Sequence, residues 1–141
     1  MNALYASTAM IEGGTGLALL CLPSAAAVLL LGRPLEAPAA LTVARVGGAG
    51  SLTLGVACWL ARGDTQSLAA RGLVTAMVIY NLGVALVLAD AGVRSQPVGV
   101  VLWPAVILHT AMTVWCVVSL VSWKPERPEL GAAELRFTNK P

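Results

Sequence analysis

The chain has 141 residues, of which 57% are hydrophobic and 11% are charged, and its mean hydropathy is +0.80. Soluble proteins carry about 25% charged residues. A water-soluble fold this small has too large a surface to be covered by nine basic and seven acidic side chains. The composition therefore predicts an integral membrane protein. The net charge of +2 and the scattered basic residues give no support to nucleic-acid binding.

Four apolar stretches reach the length of about 20 residues that a helix needs to cross a bilayer. They cover about residues 11–31, 41–60, 68–91 and 98–123, and the first can extend back to Leu4. The connections GRPLEAPA, ARGDTQS and GVRSQP are short, so sequential helices are expected to run antiparallel. The sequence predicts an all-α fold, an antiparallel up-down four-helix transmembrane bundle over residues 1–123.

The two ends of the chain differ in character. The segment MNALYASTAMIEGG has no basic residue before its apolar run, so it is expected to stay in the mature protein rather than to be a cleaved signal peptide. Residues 124–141 are polar, and Pro125 and Pro128 prevent the fourth helix from continuing. They are expected to form a loosely structured cytoplasmic extension or a short segment that contacts a partner.

The distribution of basic residues predicts the orientation in the membrane. Six lie on the side that holds both termini and the second connection, and three lie on the other side. By the positive-inside rule, this favours an orientation with both termini in the cytoplasm. Trp59 and Trp123 fall where the second and fourth spans would meet the cytoplasmic interface.

Small residues recur on the first two spans. Lipid gives helices no hydrophobic reason to associate, so close approach of small residues has to contribute. Gly47, Ser51 and Gly55 recur every four residues in the second span, and the first span adds Gly13 and Gly16. This face has two interpretations, which are packing inside the bundle and a seam between two copies of the chain.

Charged residues fall within or near three of the spans. Arg45 and Asp90 lie near the outer ends of antiparallel spans, so they are expected to neutralise each other unless Arg45 extends to the headgroups. An anion or substrate site is the alternative. Glu12 lies near the cytoplasmic end of the first span, where it is either a proton-coupling carboxylate or a residue that faces the headgroups.

Two polar residues fall near the middle of the third and fourth spans. A hydrogen bond between His109 and either Asn81 or Tyr80 is expected, because these side chains lie at comparable depth. The alternative is axial ligation of a haem or a chlorophyll by His109. The chain has no second histidine, so it cannot supply both ligands of a bis-histidine haem. Pro104 is expected to bend the fourth span.

The residues that carry most enzyme chemistry form no pattern in this sequence. Cys21, Cys58 and Cys116 lie in apolar segments without metal-site spacing, so they are interpreted as small core residues, and no metal site is predicted. No catalytic motif is present. Enzyme activity is therefore not expected.

The stretches EGGTGLALL, PSAAAVLLLG, ARVGG, LGVACWLAR and MVIYN together resemble a group of small, uncharacterised four-span bacterial membrane proteins. The resemblance covers roughly residues 11–120, and the layout is also similar to that of the DoxX-like group. It implies a four-helix inner-membrane protein and brings no assigned activity. Small multidrug exporters share the four spans and a first-span glutamate, although the rest of this chain departs from their pattern.

The leading functional hypothesis is a non-catalytic accessory subunit. It would sit in the lipid bilayer and pack through its small-residue faces against a larger membrane complex or against itself. One alternative is a small transporter or channel with Glu12, Arg45, Asp90 and His109 along its path. A second alternative is a pigment- or haem-binding subunit that uses His109.

Overall fold

The computed structural model describes residues 1–64, 66–95 and 98–123, so the predicted tail at 124–141 lies outside the described residues. The described residues form only α-helices, which confirms the prediction of an all-helical chain. The five helices are α1 (Asn2–Cys21), α2 (Pro23–Leu31), α3 (Pro38–Ala61), α4 (Leu68–Arg94) and α5 (Leu102–Val121).

The length and composition of these helices suit a membrane. Helices α3, α4 and α5 are each long and apolar enough to cross one, and α1 and α2 together pass as a fourth, bent span. Apolar side chains such as Val43, Ile79 and Ile107 are exposed on the outer faces of the helices. An exposed apolar surface of this kind is typical of a protein that contacts lipid or other membrane proteins.

The structure divides the segment of the predicted first span, residues 11–31, between two helices. Helix α1 already begins at Asn2 and ends at Cys21, and the chain then bends by 115° into α2. Pro23 explains the break, because proline has no amide hydrogen and its ring clashes with the preceding helical turn. The same residue fits the first position of the next helix, where it stands in α2.

Helix α2 is attached to the segment that leads into α5. The backbone amides of Gly99 and Val101 donate hydrogen bonds to the carbonyl oxygens of Leu30 and Leu29, at 3.1 and 3.0 Å. A side chain at position 99 would overlap the carbonyl group of Leu29, so this contact requires glycine. The bent helix is thereby fixed across one end of the longer helices.

Helices α1 and α3 run antiparallel and approach each other through glycines. A Cβ atom added to Gly16 would lie 2.7 Å from the carbonyl oxygen of Gly48, and one added to Gly55 would lie 2.8 Å from the amide nitrogen of Gly13. Because these neighbours are backbone atoms, no larger residue fits without separating the helices. The small-residue face therefore packs inside the protein, in line with the first of its two interpretations.

Gly47 does not take part in this contact, contrary to prediction. It is exposed, and a Cβ atom there would meet nothing within 4 Å, whereas its neighbour Gly48 is buried. Positions four residues apart drift by about 40° around a helix at each step. The pattern of Gly48, Ser51 and Gly55, with spacings of three and four, stays on one side of α3.

Helix α4 contacts all three of the other long helices. It runs antiparallel to α5, because Gly92 near its end lies against Leu102 at the start of α5. The hydroxyl of Tyr5 in α1 donates to the carbonyl oxygen of Ala70 in α4, at 2.9 Å. α1, α3, α4 and α5 together form one hydrophobic core, made of Leu4, Tyr5, Cys58, Val74, Met77, Met112 and Cys116.

The position of Pro104 within α5 gives no reason for the predicted bend. Helix α5 begins at Leu102, so Pro104 lies in its first turn. An amide hydrogen at that position has no partner within the helix, and its absence therefore costs no helical hydrogen bond.

Candidate functional site

Most of the buried polar side chains gather halfway along the helices. Glu12 and Ser51 are each 2% exposed, Asn81 is 1% exposed and His109 is 9% exposed, and the half-buried Tyr80 lies between them. These five residues, called the interior polar cluster below, come from α1, α3, α4 and α5. Isolated polar groups are costly in an apolar interior, so the hydrogen bonds of each one have to be accounted for.

Glu12 connects three helices. Its Oε2 atom accepts a hydrogen bond from the hydroxyl of Tyr80 in α4 at 2.7 Å, and a second one from the hydroxyl of Ser51 in α3. The short side chain of Ser51 reaches the carboxylate because the Gly16–Gly48 contact, about one turn away, brings α1 and α3 close together. The glycine pattern therefore positions the carboxylate.

The hydroxyl groups offer partners to both protonation states of Glu12. An ionised carboxylate accepts from Ser51 and Tyr80, as described. A protonated carboxyl group donates instead, and the Ser51 hydroxyl can then turn to the backbone carbonyl oxygen of Glu12, which lies 3.3 Å away. The Ser51 and Tyr80 oxygens are 3.2 Å apart, within reach of a further hydrogen bond.

His109 is held by Asn81, as the sequence predicted. The Nδ2 atom of Asn81 donates to the carbonyl oxygen of Met77 at 2.8 Å, so its Oδ1 atom faces His109 Nδ1, also at 2.8 Å. Since Oδ1 only accepts, Nδ1 has to carry a hydrogen, and in the neutral ring Nε2 carries the lone pair. The rings of Tyr80 and His109 lie edge to face, with centroids 6.2 Å apart.

The tautomer of His109 bears on the cofactor prediction. A histidine that ligates a metal usually donates its other ring N–H to a carbonyl or carboxylate group, as His109 does to Asn81. Nε2 is therefore the nitrogen through which a haem or chlorophyll would be held. Ligation of such a group by His109 stays a prediction.

The predicted ion pair between Arg45 and Asp90 is wrong. Asp90 pairs with Arg94, four residues further along α4, and both side chains are exposed, at 60% and 77%. This is the one salt bridge among the described residues, and Arg45 lies exposed on α3. A partner one turn away on the same helix is reached without bringing two helices together, which explains the outcome.

A cavity of about 670 Å³ opens at the end of the protein that holds the N-terminus. It lies between the start of α1 and the end of α5, and Glu12 and His109 are not among its lining residues. At the same end Arg62 stacks over Trp59 at 4.0 Å and Arg71 over Trp123 at 5.1 Å. Both predicted interface tryptophans therefore carry a cation at their ring face.

The start of α4 is stabilised by a compact turn at the same end. Ser67 caps the helix by accepting from the amide of Ala70 at 3.0 Å. Asp64 in turn accepts from the hydroxyl and the amide of Ser67, and these hydrogen bonds hold the pKa of the Asp64 carboxyl below its usual range. This motif was missed in the sequence, although an aspartate three residues before a serine cap is a recognisable signal.

Comparisons of the chain with protein-family models, with curated proteins and with solved structures find no match. A function therefore has to be argued from the site itself. Of the four residues predicted to line a transport path, the structure brings Glu12 and His109 into one cluster through Tyr80. It leaves Arg45 and Asp90 on the outside.

Proposed function

We propose that the chain is a small proton-coupled transporter of the bacterial inner membrane, with Glu12 as the proton-binding residue. One observation carries the proposal. A single buried carboxylate joins α1 to α3 and to α4, and the groups around it can satisfy both its ionised and its protonated form. Ionisable residues inside membrane bundles are rare, and proton relays are among their common uses.

The hydrogen bonds of Glu12 suggest how a proton would be coupled to movement. The ionised carboxylate draws a hydroxyl from α3 and one from α4 to the same oxygen atom. Protonation removes one of these attractions, because the carboxyl group then donates to a hydroxyl and the other hydroxyl is free to turn away. A ligand that binds better to one of the two arrangements would shift their populations, which is the requirement for coupling.

The proposal includes an orientation with both termini in the cytoplasm. The end that holds the N-terminus also carries Arg62, Arg71 and the two tryptophans, Trp59 and Trp123. Basic and aromatic residues of this kind support a cytoplasmic interface. The proposal assigns binding and transport to the protein, and no catalysis.

The accessory subunit remains the second candidate, and one observation favours it. Gly47 and Gly50 lie exposed on the outer face of α3, where an added Cβ atom would meet nothing within 4 Å. A helix of a second copy or of a larger membrane complex would find close backbone access there. In this proposal the interior polar cluster only holds the four helices in register.

A transport assay separates the two candidates. Proteoliposomes with an imposed pH gradient are offered a panel of small cations and neutral solutes, and uptake is compared between the wild type, Glu12→Gln and Asp90→Asn. The transporter proposal expects gradient-driven uptake of at least one solute, its loss in Glu12→Gln and its retention in Asp90→Asn, because Asp90 is exposed. Uptake that survives Glu12→Gln, or no uptake of any solute, would overturn the proposal.

The accessory proposal has a different readout. A partner that copurifies from native membranes is expected to be lost when Gly50 is replaced by leucine and kept in Glu12→Gln. A chain that remains alone in native membranes would contradict it.

A further inference from the structure

Four sulfur-containing side chains meet in the hydrophobic core, next to the interior polar cluster. Cys58, Met77 and Cys116 are 0% exposed, and Met112 is 5% exposed. They come from α3, α4 and α5 and belong to one contiguous cluster of buried residues. The sequence interpretation of the three cysteines as small core residues is confirmed for Cys58 and Cys116 and is wrong for Cys21, which is exposed.

The distance between two of these sulfur atoms suits a shared ion. The Cys58 thiol donates a hydrogen bond to Met77 Sδ, with the two sulfur atoms 3.7 Å apart, so an ion would take the place of the thiol hydrogen. Two sulfur atoms bound at about 2.3 Å to one metal ion, with a tetrahedral angle between them, are separated by about 3.8 Å. An ion can therefore bind both atoms without forcing α3 and α4 to move apart.

Helix α5 supplies further donors to the same layer. Met112 and Cys116 are four residues apart and lie on one face of the helix, and His109 precedes Met112 by three residues on that face. The Met112 thioether is the candidate third ligand, because a second thiolate at Cys116 would give the bound unit a negative charge. Among the described residues no group of three or more His, Cys, Asp or Glu side chains is arranged to hold a metal ion. The sulfur cluster is a different kind of site, because half of its donors are methionines.

The donor set selects the class of ion. Thiolates and thioethers are soft ligands, which select ions such as Cu(I) over hard cations. A monovalent ion bound by one thiolate and one neutral thioether forms a neutral unit, and an interior with a low dielectric constant favours neutrality. On binding, the Cys58 thiol loses its proton to the solvent and a bond forms between sulfur and metal, with no change of oxidation state.

We propose that Cys58 and Met77, with Met112 as the third donor, form a binding site for a soft monovalent cation of the Cu(I) and Ag(I) class. The site does not depend on the transporter proposal, because Glu12 is not one of its donors.

Silver binding to the purified full-length chain tests the proposal. Ag(I), added as nitrate in a buffer without chloride or thiols to the Cys21→Ala variant, which lacks the exposed thiol, is expected to bind one ion per chain in native mass spectrometry and to release about one proton per ion. Cys58→Ala and Met77→Leu are expected to weaken binding at least about tenfold, since loss of even an outer-shell partner costs 10–100-fold. Met77→Leu keeps the packing volume nearly unchanged, so the folded variant remains testable.

The chain provides a matched control for Met77→Leu in the same Cys21→Ala background. Met10 is a methionine that is 75% exposed, so Met10→Leu is expected to leave silver binding unchanged. Glu12→Gln is expected to bind silver like the wild type, which separates this proposal from the transporter proposal. Binding that survives Met77→Leu, or that is lost in Cys21→Ala, would show that the sulfur cluster is only apolar packing.

Discussion

Among the single residues, Glu12 is the best candidate for a functional role, because it is both buried and ionisable. Its partners are hydroxyl groups, which can donate or accept, so the site does not force one protonation state. A lysine or arginine in the same place would have fixed the carboxylate as an ion pair. The described salt bridge lies instead on the outside of the protein, between Asp90 and Arg94.

The contribution of Tyr80 to this site is open to direct measurement. Tyr80→Phe removes the hydroxyl that donates to Glu12 and leaves the buried carboxylate with Ser51 alone. We expect the free energy of unfolding in detergent to fall by about 1–3 kcal/mol. Thr53→Val is the control, because the Thr53 hydroxyl is exposed and bonds only to Ala49 of its own helix, and its effect is expected to stay within about 0.5 kcal/mol. Equal effects of the two substitutions would contradict the role given to Tyr80.

Asp64 predicts a pH dependence at the start of α4. The hydrogen bonds from Ser67 hold the pKa of the Asp64 carboxyl below its usual range, so the folded state favours the ionised form. The resulting stabilisation is present above the pKa of the unfolded chain and is lost as the pH falls through the lowered pKa of the folded state. We expect Asp64→Asn to melt below the wild type at neutral pH and the two melting curves to converge in acid. A difference that grows in acid would contradict this prediction.

At the scale of the helices, the contact between α1 and α3 depends on the small size of the residue at position 16. A Cβ atom at Gly16 would lie 2.5 Å from the amide nitrogen of Leu52 and 2.7 Å from the carbonyl oxygen of Gly48, and backbone atoms cannot turn aside. We expect Gly16→Ala to lower the free energy of unfolding by about 1–3 kcal/mol.

Gly47 is the matched control for this substitution, since it lies in open space on α3. Gly47→Ala is expected to be neutral or to stabilise the helix by up to about 1 kcal/mol, because alanine has the higher helix propensity. Thermal unfolding of both variants in the same detergent gives the comparison. If Gly47→Ala lowered the free energy of unfolding more than Gly16→Ala, the result would contradict the structure and would support the packing face predicted from the sequence, which includes Gly47.

How much of the structure could be predicted differs between elements and contacts. The helical class and the extents of α3, α4 and α5 follow from apolar length, and the His109–Asn81 hydrogen bond follows from their equal depth in neighbouring spans. The break between α1 and α2 was not predicted, because Pro23 was interpreted as part of one continuous span. The Ser51–Glu12–Tyr80 contact could not be predicted, because it depends on the register between helices that glycine contacts set to within one residue.

In the molecule as a whole, the cavity, the sulfur cluster and the interior polar cluster follow one another along the axis of the long helices. The cavity opens at the end where α1 begins, the sulfur cluster follows around Cys58 and Met77, and the interior polar cluster around Glu12 comes next. Helix α2 covers part of the opposite end through its backbone bonds to Gly99 and Val101. A directional arrangement of this kind suits a protein that acts between the two sides of a membrane.

The proposed orientation can be tested by labelling from one side. In a background with the three native cysteines replaced by alanine, single cysteines are introduced at the exposed positions Arg33 and Gly63, in the first and second connections. A maleimide that cannot cross membranes is expected to label position 33 in intact cells and position 63 only after lysis. The reverse pattern would place the termini outside the cytoplasm.

The proposed coupling depends on the exchange of a proton at Glu12 inside the helical core. Infrared difference spectroscopy of the protein in lipid, recorded as the pH is varied, detects the carbonyl stretch of a protonated carboxyl group. We predict a buried-carboxyl band that titrates in the wild type, persists in Asp90→Asn and is absent in Glu12→Gln. A band that is unchanged by Glu12→Gln, or a wild-type spectrum with no titrating buried carboxyl, would contradict the account.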